Sequence, residues 1–194
     1  MTLPLYRRLL GARFEQLPAR VAGLHDVPGI SVWKGRADVE RGRSLAGRAL
    51  ATLFGLPPAG RDQPLSVTFT PEGDREIWTR AFGRAVFRSV QYECHGLLRE
   101  RVGPATFIFA LDTSADGMAL KLKGVRFLGL PLPRLLAPIV HTFESERDGR
   151  YRFEVEARLP LLGLIVRYAG WLERVAPGSR SRNGRGLLRS SKAS

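Results

Sequence analysis

The chain has 194 residues, 44% of them hydrophobic and 25% charged, a composition that excludes wholesale disorder and is enough for one well-buried domain. Its formal net charge is +13, from 31 basic and 18 acidic residues, which speaks to solubility and nonspecific attraction to anions rather than to a particular site. The lone cysteine, Cys94, excludes an internal disulfide and a cysteine metal cluster and fits a reducing compartment.

From Leu5 to Leu24 the apolar side chains fall at spacings of three and four (Leu5, Leu9, Leu10, Phe14, Leu17, Val21, Leu24), which predicts an amphipathic helix packed on a core and broken or kinked at Pro18. The arginines at 7, 8, 13 and 20 take its other positions. A basic amphipathic helix can also lie on a membrane surface, but packing on the core is the simpler reading. Residues Ser31 to Arg41 alternate, with Trp33, Gly35, Ala37 and Val39 on the inner side, so they read as a half-buried strand. The small pair Gly35 and Ala37 suggests a close neighbour, and the next element is the obvious candidate. That element is a helix from Ser44 to Phe54, capped by Ser44, with Leu45, Ala49, Leu53 and Phe54 as its apolar stripe.

From Pro64 onward the pattern is strands joined by short turns. Leu65, Val67 and Phe69 alternate with Ser66, Thr68 and Thr70; Glu76, Trp78, Arg80 and Phe82 share one side of the next strand. Further strands are expected at Ala85 to Glu93, Leu97 to Val102, Ala105 to Leu111 and Met118 to Val125. The prolines at 131, 133 and 138 then prevent the chain from continuing in a central ladder, so Gly124 to Pro133 reads as a corner, expected at the rim of a barrel beside an entrance. Ile139 to Arg147 and Arg150 to Arg158 form a hairpin around Asp148-Gly149, whose two positions suit the positive φ of a type I′ turn. The last strand, Leu164 to Glu173, is apolar on both faces and should be central or covered by a helix.

Nine or ten antiparallel strands with an N-terminal helix and one further helix give an α+β class, mainly antiparallel β. The meander should curl strongly or close into a barrel, which removes exposed edges and encloses a space. Residues 1–176 read as one domain and 177–194, with five cations and no acid, as a basic disordered tail. The apolar runs fall short of the roughly 18 residues of a membrane helix, and the N-terminus lacks the apolar run of a secretion signal, which leads to a cytoplasmic reading.

An enclosed space of this kind suits a small molecule, lined by Trp78, Phe82, Phe87, Phe107 or Phe109, Tyr151, Phe153 and Trp171. Charged residues on apolar strand faces are more informative, because a buried charge must be paired. Arg80 between Trp78 and Phe82, and Arg167 on the face shared by Ile165 and Trp171, have Glu100 and Glu144 as candidate partners. Such pairs act as structural glue or receive a carboxylate or phosphate. The candidate ligand-binding set is Trp78, Arg80, Phe82, Ser89, Glu100, Glu144, Arg167 and Trp171, with no catalytic residue assigned. His25, His95 and His141 show no metal-ligand spacing, and Ser89, His95 and Glu100 lack the nucleophile elbow of a hydrolase. No phosphate-binding glycine motif or nucleic-acid module is present, so neither a cofactor nor a specific nucleic-acid partner is expected.

In order along the chain stand Leu5-Tyr-Arg-Arg-Leu-Leu-Gly-Ala12 with Leu17-Pro18 and Leu24-His25-Asp26, then Gly35, Arg41-Gly42 and Leu56-Pro-Pro-Ala-Gly60. They continue in Trp78-Thr-Arg80 with Phe82 and Ser89, Glu100-Arg101 with Gly103-Pro104, Leu128-Gly-Leu-Pro-Leu-Pro133, Gly149-Arg150, Leu159-Pro160, Arg167-Tyr168 and Gly170-Trp171. Over about residues 5 to 172 this order resembles a bacterial family catalogued as domain of unknown function 4166. The resemblance implies a domain that stands alone or is attached to a saccharopine-dehydrogenase-like or other nucleotide-cofactor domain, and it brings no established activity. Two functions are therefore expected to compete. One is a noncatalytic binding module for an apolar or amphipathic molecule, with any anionic group near Arg80 or Arg167. The other is an enzyme, or an accessory of a nucleotide-cofactor oxidoreductase, acting on a lipid-like or metabolic substrate with Glu100, Glu144 or His141 as acid or base.

Overall fold

A computed structural model describes residues 3–26 and 28–176; the tail expected at 177–194 lies outside the described residues. Ten antiparallel strands close into a barrel. They are β1 (Ser31–Arg41), β2 (Gly60–Glu72), β3 (Arg75–Phe82), β4 (Ala85–Cys94), β5 (Leu97–Val102), β6 (Ala105–Ser114), β7 (Gly117–Phe127), β9 (Ile139–Arg147), β10 (Arg150–Leu159) and β11 (Gly163–Arg174). Each pairs with its neighbour in chain order, β7 pairs with β9, and β11 returns to β1, which completes the ring. The two-residue β8 (Leu130–Pro131) adds to the end of β7 only.

Alternation along each strand sends one set of side chains inward. On β2, Leu65, Val67 and Phe69 are buried while Ser66, Thr68 and Thr70 are not. The β9–β10 hairpin turns at Asp148 (φ 55°) and Gly149 (φ 69°), the paired positive φ values that a type I′ turn requires. Because every connection reverses the chain, the turns at 73–74, 95–96, 115–116 and 148–149 gather at one end. Those at 83–84, 103–104, 128–138 and 160–162, with the link from β1 to β2, gather at the other.

The first end is plugged. Helix α1 (Leu5–Leu10), a 3-10 turn (Gly11–Gln16) and helix α2 (Ala19–His25) fold across it, and Leu5, Tyr6, Leu10, Phe14, Leu17, Val21, Leu24 and His25 are all buried. The predicted break at Pro18 is present, and Gly11 at φ 55° adds an earlier one. Arg7 holds the pieces together: its Nε and Nη2 donate to the two Asp26 carboxylate oxygens at 2.8 and 2.7 Å, and Nη1 donates to Glu15 at 2.8 Å. Such a fork-to-carboxylate match adds direction as well as attraction. Further bonds tie the plug to the barrel's turns, from Arg8 Nη2 to the Asp74 carbonyl and from the Arg20 amide to Glu146.

At the other end helix α3 (Leu45–Leu53) lies against β11, with Ser44 Oγ accepting from the Gly47 amide as its cap. Two expectations are corrected here. Leu45, Ala49 and Leu53 do not face the core; the helix buries Gly47 and Ala51 instead. Nor is α3 the close neighbour of Gly35. A Cβ at Gly35 would stand 1.8 Å from the Trp171 carbonyl oxygen, and one at Gly170 would stand 2.1 Å from that of Arg36. The small residues are needed where β1 and β11 press together to close the ring.

The barrel wall has one weak seam. β7 and β9 pair only from Gly117–Ser145 to Ala119–Phe143 and then part towards the open end. The chain from Leu128 to Pro138 folds beside this gap, held by the Leu132 amide donating to the Val125 carbonyl at 2.8 Å. The predicted corner thus lies at the barrel rim.

Candidate functional site

The barrel encloses a cavity of about 360 Å³, within the range of small-molecule sites. Aromatic and aliphatic side chains line most of it, among them Phe69, Phe82, Phe87, Phe107, Phe109 and Phe153. The mouth is bounded by Leu50, Phe54 and Leu56 from the α3 segment and by Leu132, Leu136 and Pro138 from the corner. Leu120, Pro138, Val140 and Thr142 line both the cavity and a groove outside the β7–β9 seam, so the seam extends the opening down the wall.

Polar groups concentrate at the plugged end, and each is positioned by inward alternation on a strand or by the plug itself. Arg80 on β3 reaches across to β4 and β5: Nη1 donates to Ser89 Oγ at 2.9 Å, and Nη2 to Glu100 Oε1 at 3.3 Å. Its guanidinium also lies over the rings of Trp78 (4.8 Å) and Phe87 (5.2 Å). Burial disfavours the charged form of Arg80, but the Glu100 carboxylate, with Tyr168 and Tyr6, outweighs it, so the pKa ends above the usual arginine value. Glu76 accepts from the Leu5 amide at 3.1 Å and from Trp78 Nε1 at 3.2 Å.

A second group joins the plug to the wall. Tyr6 donates its hydroxyl proton to Gln91 Oε1 at 2.9 Å and stacks on His25 with ring centres 3.7 Å apart. His25 Nε2 lies 2.5 Å from Glu144 Oε2, with both side chains almost completely buried. Glu144 also lies beside the Tyr151 hydroxyl. Burial, then the nearby carboxylates led by Glu144, raise the Tyr6 and Tyr151 hydroxyls well above the ordinary tyrosine value; Tyr168 is pushed to about 12, chiefly by burial.

Of the eight predicted residues, the structure brings six together. Trp78, Arg80, Phe82, Glu100 and Glu144 line the cavity, and Ser89 stands behind them as a partner of Arg80. Arg167 and Trp171 lie on the outer face: Arg167 faces Glu156 at 3.9 Å, and Trp171 lies under Arg150 at 4.5 Å. The inner face of β11 carries Val166, Tyr168 and Leu172 instead. Glu144, expected opposite an arginine, meets His25. Tyr6, His25 and Gln91 were not among the predicted residues; Gln91 shares the inward parity of Phe87 and Ser89, the one signal that could have found it. His95 and His141 are exposed, away from this group.

A family model described as a domain of unknown function (DUF4166) matches residues 17–172. The chain belongs to this family. Comparison with the curated proteins and with solved structures gave no match. In this DUF4166 chain the matched span contains the whole barrel wall up to the inner residues of β11, together with α2 and therefore His25. Tyr6 and the rest of α1 precede it. Among the described residues no group of three or more His, Cys, Asp or Glu side chains is arranged to hold a metal ion, and no helix is long and apolar enough to cross a membrane.

Proposed function

We propose that this DUF4166 barrel is a noncatalytic binding module for an apolar or amphipathic small molecule. The observation that carries this is the cavity: it is open at the mouth, apolar along most of its length, and ends at convergent polar side chains. An apolar chain would lie against the phenylalanines, with a polar head reaching Arg80 and Glu100. The head is better uncharged than anionic. Arg80 already faces Glu100, and Glu76 and Glu144 add two further carboxylates at the same end. A hydroxyl or amide can donate to a carboxylate and accept from the guanidinium without meeting that excess of negative charge. His25, the one buried imidazole, is not part of the cavity lining, so it serves the plug rather than a bound molecule.

Trp78 lines the cavity and supplies a test. A brominated long-chain alcohol should quench part of the tryptophan emission saturably, and Ala157→Phe, which adds volume to the lining, should weaken the effect. Mass spectrometry of molecules that copurify with the protein would identify the native class. Absence of saturable quenching together with no copurifying amphiphile would end this reading.

A further inference from the structure

The most exposed large apolar side chains are unevenly distributed. Twelve stand out among the described residues, and ten of them are at the mouth end; only Leu3 and Ile30 are not. Seven of the ten come from three separate connections, Leu45 and Leu53 on α3, Leu128, Leu130, Leu135 and Leu136 on the corner, and Leu161 between β10 and β11; Val86, Phe127 and Ile139 stand on the adjoining strand ends. Leu45 is 81% exposed, Leu128 73% and Leu161 74%. Exposed apolar side chains gathered on the connections at the opening of a cavity mark a contact with a partner or a membrane.

The charge on the connections that carry these side chains is positive. The stretches forming this end, 41–61, 83–84, 103–104, 126–139 and 159–163, contain no aspartate or glutamate, and the nearest acids, Glu40, Asp62 and Glu156, stand on the adjoining strand ends. The same stretches do contain exposed arginines, including Arg43, Arg48, Arg84, Arg126 and Arg134. We propose that the mouth docks on an anionic lipid bilayer, with the leucines entering the headgroup boundary and the arginines facing lipid phosphates, so that the cavity and the β7–β9 seam open against the membrane. Aliphatic tips beside cations fit an interfacial site. A second copy placed mouth to mouth would oppose arginines to arginines, and a nucleic-acid strand would call for aromatic stacking surfaces in place of leucines. The docking gives the proposed binding module a source of amphiphile and in that sense rests on that reading, but its evidence is independent of it.

Cosedimentation of the full chain with vesicles tests the proposal, using phosphatidylcholine alone and an equimolar mixture with phosphatidylglycerol. Binding should require the mixed vesicles and fall as salt rises. Arg43→Gln with Arg134→Gln should lose about fivefold per residue. Leu128→Asp with Leu161→Asp should lose roughly tenfold or more, with Leu128→Ser and Leu161→Ser as the replacement pair should the aspartates disturb folding. The same leucine loss is expected after the five tail cations, Arg180, Arg182, Arg185, Arg189 and Lys192, are changed to Gln, which separates the mouth from the tail. Equal binding of the leucine variants and the parent would overturn the proposal, as would self-association or nucleic-acid binding through the mouth without vesicle binding. Quenching of Trp78 without vesicles reads the cavity separately: quenching with no vesicle binding sinks the docking alone, and vesicle binding with no quenching sinks the cavity reading alone.

Discussion

The plugged end and the mouth treat polar and apolar groups in opposite ways. At the plug, Glu76, Arg80, Gln91, Glu144 and His25 are taken out of water and joined to named partners, and the apolar faces of α1 and α2 disappear against them. At the mouth, leucines remain in water, and the connections that carry them hold arginines but no acid. Burying polar groups is costly unless each is paired, and leaving leucines in water forgoes their transfer free energy. A chain selected for stability alone has reason to do neither. Most of the plug's polar groups are paired with one another, although His25 Nδ1 and Arg8 Nε are buried without a hydrogen-bond partner, so the plug reads as a structural floor. Nothing among the described residues accounts for the exposed leucines, and this turns attention to what meets the mouth.

The sharpest way to break that contrast is at the plug. Glu144→Ala would leave His25 buried without its partner. Removal of one member of a buried pair costs about 3–5 kcal/mol, so a large drop in the urea midpoint is expected. A change within experimental error would mean that the plug is not held by this bond. Tyr6→Phe is milder. It deprives Gln91 of its donor and should cost about 1–3 kcal/mol, and the accompanying Gln91→Met should recover part of the loss.

Alkaline pH should separate the ends without mutation. Tyr6, Tyr151 and Tyr168 all line the cavity, and burial raises the pKa of each. In the unfolded chain these hydroxyls ionise near 10.0, whereas folded Tyr168 holds its proton to about 12. The unfolded state therefore sheds protons first as pH rises. The tyrosine contribution is fully present below about pH 10 and is lost through the window above it, ending for Tyr168 near 12. Denaturation midpoints measured across that window should fall, and Tyr168→Phe should make the fall shallower; an unchanged slope in the variant would contradict the assignment.

The barrel was more legible in the sequence than its contents. Alternation and the Asp148-Gly149 turn act locally, so strand positions such as Ser31–Arg41 and Ile139–Arg147 could be read from neighbours alone. The Arg80–Glu100 pair could be anticipated because a charge between Trp78 and Phe82 has to be compensated. Arg167 and Trp171 were harder, since β11 is apolar on both faces and parity cannot say which face is inner. There α3 buries Ile165 from outside, and Arg150 covers Trp171. The spacing of Leu5, Phe14 and Leu24 shows that a helix is buried, yet it contains nothing about where the helix docks. For that reason Tyr6 and His25 could not be connected to Gln91 and Glu144. On α3 the same periodicity misleads, because the helix packs through its small residues Gly47 and Ala51 and leaves its leucine stripe exposed.

The smallest stability effect is the one that bears most directly on the mouth. Leu161 sits in the turn between β10 and β11 with 74% of its surface exposed. If it had a hidden structural duty, Leu161→Ser would destabilise the fold as core truncations do, by about 2–5 kcal/mol. If it serves only an external contact, the change should stay within about 0.5 kcal/mol, and the same should hold for Leu128→Ser. Thermal melts of both variants beside Glu144→Ala would place the two ends on one scale. Near-parental melting with weakened binding to mixed phosphatidylcholine and phosphatidylglycerol vesicles would show that these leucines act outside the fold. A large loss of stability would return the mouth to the core and remove the contrast.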